Sequence, residues 1–416
     1  MWKLLKRNPS FLLYWVSLLG MEFGEWTRNM VLVYAVYTLS HGSASAVSIV
    51  LLSEFLPMLF GPFIGVLADR LPRKPTFVLS ICIQGVLLFG IGLTLHLHQL
   101  WLVYAGALLS AVATVASRTA GAGYILQFVP MDERKDATAL QQVVISSMML
   151  LGPPLGTAIY MAVQGQGALA VAGGLFLLAV ILNIWVKAQK TPVSDAESHS
   201  FWYDLRTGLK YARNHWVMRF ILSTGVLVGC SAGILNVLEI FLVTKFLHLP
   251  KTWLSVLLFV QGGGMLSVTP LLNRLTVPMK RLLPWSLIWC GIGMGLMISV
   301  RLWMVTLLGY LVFSVGNVAI NLAVGTLMKT EVEESYQGRM SSLFTTAYGV
   351  TTGVFMVLTG RLQPILGVRF LIAAGSCIIL ISGALLLGFT IRYLKHSDSN
   401  LNLPQNSVGR DVDPLP

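Results

Sequence analysis

Apolar runs of the ~20 residues needed to cross a hydrocarbon core recur along almost the whole chain. They lie near Phe11–Leu39, Ala44–Ala68, Pro75–Leu95, Leu100–Phe128, Thr138–Val163 and Gly167–Gln189, then near Trp216–Phe246, Thr252–Asn273, Arg281–Val300, Leu302–Met328, Gly338–Leu362 and Gly367–Leu394. In lipid the backbone has no water to bond, so segments of this length and polarity must be helices that satisfy their own N–H and C=O groups. Only 11% of the 416 residues are charged, less than half of the ~25% usual in soluble domains. The chain therefore reads as an all-α, multi-pass membrane protein embedded in the lipid bilayer. The formal charge of +12 does not indicate nucleic acid, because the cations are segregated. Clusters such as Arg70, Arg73 and Lys74, or Arg134 and Lys135, fall between spans on one side, while Lys245, Lys251, Arg301, Arg361 and Arg369 fall on the other. By the positive-inside rule both termini are cytoplasmic.

Other classes find little support. The basic, apolar start is too long for a signal peptide and lacks a small-residue cleavage site, so it reads as the first span. Cys82, Cys230, Cys290 and Cys377 sit inside apolar segments, far apart, as packing residues. The histidines are scattered, with His41, His96, His98 and His248 near the outer surface. The sequence has no HExxH and no phosphate-binding loop ending in Gly-Lys-Ser/Thr. Gly262-Gly-Gly264 lies within a span, where close helix packing explains it. No enzyme, metal or cofactor signature emerges. The lack of an N-glycosylation sequon fits a bacterial plasma-membrane protein.

The order of spans suggests two halves: a six-helix bundle over 1–189, a polar linker over 190–214, a second six-helix bundle over 215–395, and a polar, disordered tail over 396–416. The halves repeat weakly. Leu67-Ala-Asp-Arg-Leu71 recurs as Leu271-Leu-Asn-Arg-Leu275, and Met131-Asp-Glu-Arg-Lys135 has a counterpart in Val332-Glu-Glu-Ser-Tyr336. Within the linker, Phe201-Trp-Tyr-Asp-Leu-Arg-Thr-Gly-Leu-Lys-Tyr-Ala-Arg213 places aromatics and cations at near-helical spacing, as an interfacial helix would.

The stretch Gly65-Val-Leu-Ala-Asp69-Arg70-Leu-Pro-Arg73-Lys74 stands between the second and third spans. It resembles the corresponding loop of major facilitator superfamily transporters, whose pattern is Gly, three residues, Asp, a cation, and two further cations; here Pro72 stands where the superfamily has a glycine. The resemblance implies twelve transmembrane helices in two pseudo-symmetric six-helix bundles. It also implies a conformational switch at Gly65, Asp69, Arg70, Arg73 and Lys74. Asp69 ends its helix, where the macrodipole disfavours a carboxylate, and a partner near Gly338-Arg339 is expected. The linker, with the following Asn-His-Trp-Val-Met-Arg-Phe, resembles that of the drug-antiporter branch that includes macrolide efflux proteins and enterobactin exporters.

Charges inside spans cost about 2.5–3.5 kcal/mol each on insertion scales and mark function by default. The first span carries Glu22, Glu25 and Arg28 in steps of three. Two carboxylates one turn apart in low dielectric favour holding one proton between them, while a Glu25–Arg28 pair that only locks packing is the bland alternative. Gly24-Glu25 falls where the antiporter branch shows Gly-Asp, which implies Glu25 as the acidic site. Glu54, before Leu56-Pro57, is expected at the same cavity, with Trp26 and Tyr34 among its aromatics. Arg118, followed by Gly121 and Gly123, resembles the superfamily's fourth-helix arginine motif, linked to proton transfer; a packing arginine is the equal alternative. Glu239, two turns before Lys245, reads either as an outer gate pair or as a substrate contact. Gly152-Pro153-Pro154-Leu-Gly156-Thr157 resembles the antiporter motif of the fifth helix, with prolines that bend it and glycines that admit a facing helix.

The expected function is a monomeric, proton-driven exporter of amphipathic small molecules (a drug or macrolide-like compound) acting by alternating access. A siderophore exporter, a solute importer and a sodium-coupled carrier are the transport alternatives, and a lipid-modifying enzyme or scramblase the alternative from another class.

Overall fold

The protein was analysed as a computed structural model that describes residues 2–59, 71–188, 206, 210, 213, 215–272, 274 and 277–401. A short helix α1 (Trp2–Arg7) leads into α2 (Pro9–Leu39), α3 (Ala44–Leu59), α4 (Arg73–His96), α5 (Leu100–Tyr124) and α6 (Arg134–Trp185). After the segment preceding His215 come α7 (Trp216–Phe241), α8 (Leu254–Leu272), α9 (Met279–Ser299), α10 (Trp303–Thr330) and α11 (Glu334–Leu401). Local signals set the boundaries. Asn8 caps α2 by accepting the Phe11 N–H at 3.0 Å, with Pro9 at the first helical position, where its missing donor costs nothing.

The two longest helices are each two spans in series. α6 leaves helical geometry only at Gln164 (φ 60°), and α11 only at Gly367 (φ 76°). Turns with the same left-handed residue occur at His41, Gly42, His98 and His248. Glycine enters that region freely, and histidine does so more readily than most side chains. Eight of the helical segments are long and apolar enough to cross a membrane by length and composition. Counting α6 and α11 as pairs, with α2 and α3, the described architecture fits the twelve expected spans.

Within the first half α2 lies along α6, and α4 packs on both α5 and α6; in the second, α7 runs along α11 while α9 contacts α10 and α11. Small residues allow the closest crossings. A Cβ on Gly293 would stand 2.8 Å from the Gly309 carbonyl oxygen, and one on Gly309 would stand 2.8 Å from that of Gly293, so α9 and α10 meet backbone to backbone. The halves meet where α3 touches α11 and where α6 touches α8. Ser45 Oγ donates to the Gly360 carbonyl at 3.0 Å in the first contact, and Gly262 faces the α6 backbone at Met149 and Leu150 in the second.

The backbone stays helical through Pro153 and Pro154, and the chain turns at Gln164. α11 runs past Lys395 to Leu401, into the polar segment that ends the chain. The second span is described only to Leu59, so Gly65, Asp69 and Arg70 lie outside the described residues, as do most of the linker and 402–416. Arg206, Lys210 and Arg213 are described, helical and exposed.

Candidate functional site

Five ionisable side chains from three helices of the first half form one network. On α2 the Arg28 Nη2 lies 3.6 Å from Glu25 Oε1, one turn back, and 4.0 Å from Glu54 Oε1 on α3. Arg118 reaches in from α5, its Nη2 3.2 Å from Glu25 Oε2 and 3.9 Å from Glu22 Oε1. The 3.6-residue period puts Glu22, Glu25 and Arg28 on a shared face. Buried charges need pairing and hydrogen bonds together. Arg28 has both: its Nη1 donates to Ser110 Oγ at 3.0 Å and Thr114 Oγ1 at 3.4 Å, while Nε and Nη2 donate to Asn29 Oδ1. The chain continues as Thr114 Oγ1 donates to Gln84 Oε1 at 3.0 Å and Gln84 Nε2 to Ser117 Oγ at 3.2 Å. Thus α2, α3, α4 and α5 are tied through a polar seam inside the first half.

Two cavities flank this seam. One, of about 310 Å³, lies between the halves and is lined from α2, α3, α6, α7 and α8. Its wall is apolar for the most part (Trp26, Met30 and Phe55 among others), with Glu54 from the first half, Glu239 from the second, and the amides Asn29, Asn236 and Gln261. The other, of about 250 Å³, lies within the first half; Glu22, Glu25 and Arg118 line it with Tyr14, Gln84 and Gln141. Arg28 therefore stands between a carboxylate that opens on one cavity and a carboxylate that opens on the other.

Trp26 owes its place to Gly152. A Cβ at Gly152 would fall 2.3 Å from Trp26 Cγ, and one at Gly156 would meet the Thr27 Cα at 3.0 Å. The two glycines let α6 lie against the Trp26–Thr27 turn of α2, and Pro153 beside them faces the cavity.

Not every expected residue falls at the site. Tyr34 is fully buried away from both cavities: its hydroxyl shares a 3.0 Å hydrogen bond with Thr157 Oγ1 and its ring packs on Tyr160. Glu239 and Lys245 do not pair. Lys245 sits over the Phe241 ring and donates to the Gly42 carbonyl at 3.2 Å; it lies in the π-helical segment Leu242–Phe246, and the six-residue step turns it off the face of Glu239. Arg73 donates to the Gly123 carbonyl at 3.1 Å, and Lys74 to the carbonyls of Ile184 and Val186. Both thus satisfy helix C-termini, where cations are favoured. Sequence reasoning missed the polar seam. Its signal was present: Ser110, Thr114, Ser117 and Arg118 repeat at helical spacing on the fourth span, and Gln84 is a lone amide in the third.

At the end bearing the turns at Gly42 and His248 the halves are latched. Tyr37 donates to Thr244 Oγ1 at 2.9 Å, Lys251 Nζ donates to Thr38 Oγ1 at 2.5 Å and to Tyr160 at 2.9 Å, and Lys245 holds Gly42. Lys251→Met, which loses both charge-assisted bonds, is expected to loosen this end. Spin labels at Gln99 and Leu302 should then show a longer, broader distance distribution than in the unmodified latch. An unchanged distribution would mean that Lys251 does not hold the closure.

A helical bundle whose halves enclose an apolar cavity edged by intramembrane acids is the architecture of a membrane transporter. The model of the Major Facilitator Superfamily matches residues 10–355, and the chain belongs to that family. Among curated relatives, the uncharacterized MFS-type transporter YfiS of Bacillus subtilis is 24% identical over 389 residues, covering 88% of this chain and 89% of the relative. The putative bacilysin exporter BacE of the same species is 20% identical over 384 residues (90% and 93%). Macrolide efflux protein A of Streptococcus pyogenes is 23% identical over 357 residues (82% and 86%). Among solved structures, a mutant of the nucleoside transporter NupG superposes with a TM-score of 0.73 at 14% identity, covering 92% of this chain and 99% of that one, and shares the fold. The chain is thus a membrane transporter with efflux-type relatives, and not an enzyme.

Proposed function

We propose that this transporter exports amphipathic small molecules, neutral or monocationic, in exchange for protons entering the cell. The observation that carries this is the cavity between the halves, apolar for the most part and edged by Glu54 and Glu239 from opposite sides. A lipophilic body would be buried against Trp26, Met30 and Phe55, while its polar groups meet Asn29, Asn236 and Gln261. Small dianions fit poorly, since stripping their hydration beside carboxylates is unfavourable. This weighs against a siderophore substrate. The names of two relatives, a macrolide efflux protein and a putative bacilysin exporter, support the outward direction.

The working parts are two six-helix bundles, 1–189 and 215–395, joined by 190–214 and rocking about the interface. Glu22 and Glu25 carry the proton with Arg118 beside them. Gly65, Asp69, Arg70, Arg73 and Lys74 act as the switch at the cytoplasmic side, and the latched end is extracellular. The chain acts as a monomer in the plasma membrane, with both termini in the cytoplasm, an orientation that the cation asymmetry supports.

Expression in a host stripped of its own efflux pumps is expected to lower the accumulation of at least one cationic or neutral amphiphile, and a protonophore should restore it. Accumulation that rises in the expressing strain, or that ignores the protonophore, would overturn the proposal.

A further inference from the structure

We propose that the first half carries an ammonium socket at its outer end, formed by Thr38 and Tyr160. Lys251 fills it while that end is closed, and the N–H cation of a departing substrate fills it when the end opens. The inference rests on the export reading above and adds an exit subsite that uses none of the carboxylates.

The lysine is itself the observation. Its side chain ends as an alkylammonium, and it crosses from the second half to seat that group between two oxygens of the first. Thr38 Oγ1 on α2 accepts at 2.5 Å and Tyr160 Oη on α6 at 2.9 Å. Both acceptors are held from behind. Thr38 Oγ1 donates its own proton to the Tyr34 carbonyl at 2.7 Å, which leaves its lone pairs for the lysine. The Tyr160 ring packs on the Tyr34 ring with centroids 5.1 Å apart, and Tyr34 is tied to Thr157. Neither acceptor is charged, and among the described residues no carboxylate forms an ion pair with Lys251. A neutral pair of oxygens holds a cation by directional N–H bonds, without the longer-ranged pull of a carboxylate, and so can also let it go.

The socket lies on the way out of the central cavity. Val33, Pro153, Ile240 and Leu254 line that cavity. One helical turn farther toward the latched end, on the same four segments, stand Tyr37, Thr157, Thr244 and Lys251. The bond from Tyr37 to Thr244 closes the roof beside the socket. Once that bond and Lys251 have parted, a cation leaving the cavity passes Thr38 and Tyr160. Lys251 needs the same two oxygens to return, so a seated substrate delays closure and closure displaces the substrate. The lysine has the advantage in this exchange because it is tethered, which gives it a high effective concentration. Selectivity follows from donor count. An ammonium or guanidinium group can donate to both oxygens, whereas a quaternary ammonium carries the same charge and has no N–H to offer.

The test is chemical rescue on the purified full chain, with spin labels at Gln99 and Leu302. Lys251→Ala removes the atoms from Cγ to Nζ, and n-propylammonium is that fragment. The variant should show the longer, broader distances of an unlatched end, and added propylammonium should return them toward the native distribution. Propyltrimethylammonium, with the charge but no N–H, should not. Adding Thr38→Val and Tyr160→Phe to Lys251→Ala should raise the propylammonium concentration needed by at least about tenfold, since two charge-assisted hydrogen bonds are lost. A native distribution in Lys251→Ala, equal recovery with the trimethyl compound, recovery that persists without both oxygens, or no recovery at all would overturn the socket. A second measurement needs no lysine variant. Hexylguanidinium and hexyltrimethylammonium share a tail and a fixed charge, but only the first has N–H donors. In vesicles holding the native protein, hexylguanidinium should inhibit ethidium transport at about tenfold lower concentration, the worth of a charge-assisted hydrogen bond, and Tyr160→Phe should remove most of that difference. Equal potency on the native protein would overturn the exit role. A native protein that moves no ethidium would overturn the export reading instead, while the spin-label result still decides the socket.

Discussion

Glu25→Gln is expected to abolish efflux driven by a pH gradient, down to the level of protein-free vesicles, while exchange of substrate across a membrane without a gradient survives in part. The reason lies in the contacts. Among the described residues, Glu25 is the carboxylate that both arginines reach, at 3.6 Å from Arg28 and 3.2 Å from Arg118. Glutamine keeps the shape and a hydrogen-bonding oxygen but cannot gain or lose a proton. Steps that need protonation change on the return of the empty carrier are then lost. One-for-one exchange uses only the loaded carrier and needs no net proton movement. Parallel flux assays in reconstituted vesicles separate the two modes. Equal loss of both would place Glu25 in folding or substrate binding instead.

Gly152→Val should be the most damaging single substitution at the cavity wall. Even a methyl group there would collide with Trp26, 2.3 Å from Cγ and 2.8 Å from Cβ. Those atoms are at the stem of the indole, so the whole ring must leave its rotamer or α6 must back away from α2. Overpacking of this kind costs about 1–3 kcal/mol, and valine adds its branch to that. The neighbouring Gly156 meets backbone at Thr27, so α6 cannot slide to relieve the clash. Transport should fall by at least about tenfold, with the melting temperature lowered. Gly152→Ala should give an intermediate loss. A valine variant with native flux would show that Trp26 and the α2–α6 crossing do not shape the substrate cavity.

Much of this architecture was legible in the sequence because a membrane imposes two strict demands, length and apolarity. The spans around Leu100–Tyr124 and Trp303–Thr330 could be read almost to the residue. The intramembrane charges announced themselves by their cost, and Glu22, Glu25, Arg28, Glu54 and Arg118 do come together. What the sequence could not give was direction. Tyr34 and Trp26 lie on the same helix with similar character, yet Trp26 faces the cavity and Tyr34 is sealed against Thr157. That difference depends on which helix is the neighbour, a non-local fact. The spacing of Glu239 and Lys245 suggested a pair, but a helical step leaves each side chain free to find a better partner across the interface, and Lys245 finds Gly42.

The most direct measurement uses vesicles that contain only the purified protein and lipid, loaded at acid pH and diluted into alkaline medium containing ethidium. Ethidium is permanently charged, so it does not follow the gradient as a weak base would. Proton-driven antiport predicts transient accumulation of ethidium in the acidic lumen above that in protein-free vesicles, abolished when an ionophore collapses the pH difference, and unaffected by a sodium gradient. Accumulation that requires an alkaline lumen, or that follows sodium and not protons, would contradict it.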